Sequence, residues 1–428
     1  MISRSFFETL KSISLVLVVV VSTIGGAGVR ASDWPQLLGP DRNGVYQGEP
    51  VWTHWGSESP KTLWSVALGE GFAGPVAVEG TVFVVHREGD EMVLDALRVA
   101  DGSRVWRATH STRYRDDFGF SNGPRATPVV DGGRVFTFSP DGALQAVDRV
   151  TGERRWIVET SQIFDVERSF FGAASSPLVV GDRVLVNIGG RQGAGVVAFD
   201  VATGATVWQA ANDGASYSSP ILASIDGTQQ AIFFTREGLL VLDPGSGEIS
   251  RQLRWRSRLN ASVNAATPVV VGDRVFLSSS YGTGAVLVAL ASGKQQEIWR
   301  SDQSLTNHYA TSLHHDGFLF GFHGRQESGP SLRCIRLDTG EVVWSEERFG
   351  AGSVILANDR LLILRESGEL ITAPASPAGF SPTVSTPILG RGTRAYPALA
   401  DGIFFARDDE KLVAVDLRQS MDETQSPD

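Results

Sequence analysis

Three residues near one turn, and a fourth far from them in the chain, have the types needed to hold an anion. His308, His323 and Arg325 flank the turn in "NHYATSLHHDGFLFGFHGRQ", and Arg125 lies in "SNGPRATP". If Asp316 and Gly317 form a two-residue hairpin loop, His315 pairs with Phe318, which sets His308 opposite Arg325 and His323 opposite Ala310. Alternation then places His308, His323 and Arg325 on one face, and a one-residue slip would separate them. A guanidinium grips a carboxylate with two parallel hydrogen bonds. The chemistry expected is therefore binding of an acidic small ligand, such as a carboxylate or an acidic sugar. Asn122, Ser175, Ser176, Tyr217 and Asn264 are further polar candidates for the same mouth.

Other chemistries find no residues. The histidines show no His-x-x-x-His or Cys/His spacing suited to zinc. The glycines of "GTGAVLVAL" and "GRQGAGVVAFD" read as turns between strands, without the strand-to-helix context of a nucleotide loop. Cys334 is the single cysteine, so an intramolecular disulfide is impossible, and a buried small hydrophobe is the reading it receives. The net charge of −10 argues against nucleic acid as a partner. No metal and no catalytic residue is assigned.

The elements that position these residues repeat. "AVDRVTGERRW" (Ala146 to Trp156) returns as "AFDVATGATVW" (Ala198 to Trp208), and comparable strings end at Trp64, Trp106, Trp156, Trp208, Trp255, Trp299 and Trp344. Their spacings of 42, 50, 52, 47, 44 and 45 residues mark a repeat architecture. Each unit runs from a small-residue, often Pro-containing lead through an apolar run, a Gly/Asp turn, a second and third apolar run, a Thr-Gly or Ser-Gly turn, and a fourth strand. Four antiparallel strands in about 45 residues make a β-propeller blade. The tryptophans are therefore read as fasteners between blades. The last unit has three strands of its own, and the orphan "KTLWSVAL" (Lys61 to Leu68) supplies its fourth and closes the ring. The fold expected is all-β, an eight-bladed propeller, with seven blades as the alternative.

These repeat strings, with the looser "ALRVADGSRVW", "ALASGKQQEIW" and "RLDTGEVVW", resemble those of the PQQ-like (pyrroloquinoline-quinone-like) β-propeller superfamily over about Lys61 to Arg418. "DWPQLLGPDRNGV" resembles the N-terminal lead of exported bacterial members. The resemblance implies eight blades and two functional classes. One is the quinoprotein alcohol or polyol dehydrogenase, whose PQQ sits on the ring axis with calcium, an aspartate base and commonly a disulfide between adjacent cysteines. No position here matches those calcium ligands or that base, so no cofactor is assigned. The other class is the non-catalytic propeller, similar to the lipoprotein scaffold of outer-membrane assembly, and this class is favoured. A binding or scaffold module with a protein partner or an acidic ligand is the expected function.

The first 31 residues read as a secretory signal: Arg4 and Lys11 precede "ISLVLVVVV", and small residues lead to Ala31. Its loss removes three basic residues and one acidic residue, taking the charge from −10 to −12. The apolar run is short of the ~20 residues of a membrane span, and no cysteine stands at the cleavage point to carry a lipid. A periplasmic or secreted protein follows, with a lead at 32–60, a propeller at 61–418 and an acidic disordered tail at 419–428.

Overall fold

The computed structural model describes residues 32–55, 59–167, 170–259 and 262–418. The signal segment and the acidic tail expected from the sequence lie outside these residues. The described strands form eight four-stranded antiparallel sheets. Blades one to seven are consecutive, at 76–111, 129–159, 178–210, 221–254, 269–301, 313–346 and 352–387. Blade eight joins three strands within 398–416 to β1 (Thr62–Ala67), which pairs from Thr62↔Val415 to Ala67↔Lys411. Helical structure among the described residues is limited to the turns Thr160–Ile163 and Gln326–Ser328. None of their helices is long and apolar enough to cross a membrane.

Middle strands such as Thr81–Glu88 and Glu91–Arg98 are continuously buried, because each sheet has a neighbour on both faces. Outer strands such as Arg104–Ser111 alternate, with one face reaching solvent.

The tryptophans carry the blade-to-blade joints. The indole Nε1 donates to a carbonyl of the following blade from Trp64 to Val99 (2.7 Å), Trp106 to Arg149 (3.0 Å), Trp156 to Val201 (3.0 Å), Trp208 to Pro244 (3.2 Å), Trp299 to Leu337 (2.8 Å) and Trp344 to Ser376 (2.9 Å). Trp255 departs from this series. It follows the outer strand Ile249–Arg254 and donates to Gly284 at 3.4 Å. The position opposite the third strand, held by Trp208 across from Ala198, is occupied in blade four by Arg251 across from Val241. Arg251 extends instead toward Gly293 and Asp226. Trp255 is thus four residues past the joint it was expected to make.

The lead closes one end of the central channel. Trp34 bridges Ala77 of blade one, and Val45 bridges Leu356 of blade seven. The Pro35 carbonyl accepts from Val130 of blade two. The fully buried Arg42 donates to Pro177 of blade three, to Pro220 of blade four (2.7 Å) and to Gln36 (2.8 Å). Burial lowers the Arg42 pKa to about 9.

Candidate functional site

With one end plugged, the axis becomes a blind pocket of about 390 Å³, a volume in the range of small-molecule sites. Two layers of its wall come from the prolines that start the inner strands. Three residues before Pro75, Pro128, Pro177, Pro220, Pro268 and Pro397 stand Phe72, Arg125, Ala174, Tyr217, Ala265 and Arg394, and all six line the pocket. One residue before those of blades two to five stand Thr127, Ser176, Ser219 and Thr267, and Tyr396 precedes Pro397. Blade six contributes Tyr309 and Thr311 at the corresponding places without a proline.

The second layer is a belt of hydroxyls nearer the plug. Thr127 Oγ1 accepts from the Gly74 amide (3.2 Å), Ser176 Oγ from Thr127 (2.9 Å), Ser219 Oγ from Ser176 (2.9 Å) and Thr311 Oγ1 from Thr267 (2.9 Å). The Tyr396 hydroxyl accepts from the Thr311 amide. Each Ser and Thr oxygen is thereby held by the neighbouring blade with its hydroxyl proton left to donate, whereas Tyr396 reaches past blade seven and donates to the Tyr309 carbonyl (3.5 Å).

Above the belt lie three guanidinium groups over aromatic rings. Phe72 has Arg125 at 5.6 Å and Arg394 at 5.3 Å from its centroid, and Arg325 sits 4.8 Å from that of Tyr281. Each has a carboxylate partner at 3.0 Å: Asp116 for Arg125, Glu366 for Arg394 and Glu327 for Arg325. The pocket is therefore not a bare cationic hole. Arg394 meets Glu366 through Nε, and among the described residues its terminal nitrogens have no hydrogen-bond partner. Glu366 also accepts from the Tyr309 hydroxyl (2.7 Å), whose pKa burial raises well above its ordinary value.

His308 and Arg325, in blade six, lie across the eightfold ring from Arg125 in blade two. His308 Nε2 is 2.8 Å from the Tyr281 hydroxyl, and Nδ1 accepts from the Gln326 amide at 3.4 Å. That pattern assigns the ring proton to Nε2, which donates to Tyr281 and frees the phenol proton for a ligand. Burial lowers the His308 pKa and raises that of Tyr281. Tyr281 holds a left-handed backbone (φ 65°), a strained conformation for a bulky side chain.

His323 does not join this wall. The hairpin forms as expected, His315 opposite Phe318, but its first strand is only Leu313–His315. Upstream the chain turns away: Ser312 and the Phe322 carbonyl are bonded to Asn307, and His323 Nδ1 accepts from the Thr306 amide at 3.2 Å instead of facing Ala310. Asn264 is buried between blades four and five, donating to Thr235 (2.8 Å) and accepting from the Tyr217 amide (3.0 Å). Ser175 is buried off the pocket, and its neighbour Ser176 takes the wall position. Asn122 braces the loop between blades one and two through Asp116 and Glu70. Tyr217 is on the wall, where its hydroxyl accepts from the Phe171 amide (3.0 Å).

Phe72, Tyr281, Tyr309, Arg394 and Tyr396 were not singled out in the sequence. For Phe72, Arg394 and Tyr396 the offset from the strand-starting proline was the available signal. The lead residue Leu37, which also lines the pocket, carried none.

Glu327 is the one carboxylate among the lining residues, and no group of three or more His, Cys, Asp or Glu among the described residues could share a metal ion. Cys334 is buried in blade six, where burial pushes its thiol up to about 12.

The sequence profile of the family described as outer membrane protein assembly factor BamB matches residues 45–211 and 96–346. The quinohemoprotein alcohol dehydrogenase ADH-IIG of Pseudomonas putida is 30% identical over 141 residues, 32% of this chain and 19% of that protein. The match thus spans about a fifth of that relative's length. Among solved structures, BamB from Moraxella catarrhalis superimposes with a TM-score of 0.62 at 16% identity, covering 85% of this chain and 99% of the other. The quinohemoprotein alcohol dehydrogenase from Comamonas testosteroni gives 0.65 at 14% identity, covering 92% and 82%. At these identities the structural likeness is one of fold.

Proposed function

The chain belongs to the BamB-type family of PQQ-like propellers, and from that premise we propose that it is an exported, non-catalytic propeller that binds an acidic ligand in its axial pocket. The observation that carries this reading is the arrangement around Phe72: Arg125 and Arg394 converge on one ring, and Arg394 lines the same pocket as the belt of hydroxyls. A carboxylate there receives charge-assisted hydrogen bonds without stranding a buried charge. Export is supported by the charged, apolar and small-residue order of the first 31 residues.

Calorimetric titration of the chain from Ser32 onward with galacturonate and with galactose tests the reading. The acid binds and the neutral sugar does not, and Arg125→Gln and Arg394→Gln each weaken the acid at least 10-fold. Equal behaviour of the two sugars, or indifference to both substitutions, overturns it.

A second reading is a quinoprotein dehydrogenase, favoured by the 30% identity over 141 residues to ADH-IIG. Reconstitution with PQQ and calcium, followed by dye-linked alcohol oxidation, tests it. Saturable turnover would establish the enzyme in place of the binding module.

A further inference from the structure

The polarity of the pocket runs opposite to that of a usual binding site, where an apolar interior lies under a polar rim. Here the inner layer carries the hydroxyls of Thr127, Ser176, Ser219, Thr267 and Thr311, all buried. The rim is apolar. Phe118, Phe120 and Phe170 are 54%, 52% and 40% exposed, on the two long loops that precede blades two and three. With Phe171 they form one cluster, the ring centroids of Phe118 lying 6.4, 5.9 and 5.3 Å from those of Phe120, Phe170 and Phe171. Phe171 carries Arg125 over its ring at 5.3 Å, and Phe120 carries Arg394 at 5.7 Å, so the apolar rim and the cationic layer are continuous.

A small polar acid would satisfy the inner layers and leave these phenylalanines in water. A neutral hydrocarbon would cover them and leave the Ser and Thr hydroxyls and the terminal nitrogens of Arg394 without acceptors. We propose that the occupant is a single-chain anionic amphiphile, its carboxylate directed down to Arg394, Arg125 and the hydroxyl belt, and its alkyl chain laid along Phe171, Phe118, Phe120 and Phe170. The proposal rests on the acidic-ligand reading above and adds the apolar half of the ligand. The closed floor and the volume of about 390 Å³ fit one small molecule entering from one side.

Each buried methylene multiplies affinity roughly fourfold, so a chain that contacts the rim binds far more tightly than its head alone. The experiment titrates the chain from Ser32 onward by calorimetry with decanoate below its micelle concentration, with acetate and with 1-decanol, and measures flotation with anionic phospholipid vesicles. Decanoate is expected to bind at least 10-fold more tightly than acetate or 1-decanol. The double variant Phe118→Ser/Phe170→Ser, changed at exposed positions that carry no guanidinium, is expected to lose that advantage. Decanoate no tighter than acetate, 1-decanol equal to decanoate, an indifferent double variant, or binding to vesicles without binding to monomeric decanoate each overturns the proposal. Arg394-dependent galacturonate binding with silent decanoate removes the amphiphile and leaves the acidic-ligand reading standing. Loss of both removes both.

Discussion

The indole of Trp156 lies on Gly204 of the next blade so closely that a Cβ at Gly204 would come within 2.8 Å of the indole Cδ2. The same glycine holds φ +73°, so it is required twice, for the turn and for the ring above it. Trp106 on Gly152 and Trp299 on Gly340 repeat the contact.

Gly204→Ala therefore combines backbone strain with a clash, and a loss of about 2 to 5 kcal/mol is expected. Trp156→Ala is expected to cost about 3 to 5 kcal/mol as a large-to-small core change. Denaturant unfolding checks both, with Gly133→Ala as a control. Gly133 has open space around its Cβ and no positive φ, so its substitution stays within about 0.5 kcal/mol. Ligand binding by the folded fraction of Trp156→Ala should be unchanged.

Deleting residues 61–68 removes β1 and leaves the strand Lys411–Asp416 of blade eight with an open edge. Aggregation and a lowered melting temperature are expected. Light scattering that reports a monomer, with melting unchanged, would refute closure of the ring by this strand.

Arg42→Met keeps the length of the side chain and removes its donors. The carbonyls of Pro177 and Pro220 lose their partner inside the ring, and about 2 to 5 kcal/mol of stability goes with them. Limited proteolysis should then cut the lead before it cuts the blades. Equal protection of the lead in variant and parent would show that Arg42 does not hold it.

Acid acts on His323. Burial lowers its pKa from 6.5 to about 4, and its Nδ1 accepts from Thr306 in the neutral form. Because the unfolded chain takes up this proton first, the stability His323 contributes is complete above about pH 6.5 and is lost as pH falls toward 4. His323→Gln should flatten that part of the pH profile of thermal melting. A parallel decline in both proteins would assign the acid limb to other groups.

The ring was legible because its period is written in residue types that turns and joints demand. The Thr-Gly turns, the Asp-Gly hairpins and the orphan Lys61 to Leu68 strand led to eight blades, the number observed. Trp255 misled because residue type was followed where offset mattered: the joint falls four residues after Gly247, and Arg251 is there. His323 misled because alternation was extended beyond Leu313, where the strand ends and Asn307 and Ser312 redirect the chain through side-chain bonds. Arg125, Tyr217, His308 and Arg325 do meet on the pocket wall. Arg394 escaped notice because its blade lacks the common small-residue lead, and the plug has no periodicity to read.

The pairing of Thr62 with Val415 joins residues 353 positions apart (415 − 62), the first strand of the ring to its last. Nothing local rewards that contact, so the entropy of bringing the two ends together falls late, after the intervening blades are in place. On a chain made from its N-terminus, β1 emerges first and waits longest for a partner. Its folding is thus governed by the time to complete the circuit. Slow refolding from denaturant, in a phase insensitive to prolyl isomerase and abolished by removing residues 411–416, is the kinetic trace this geometry leaves.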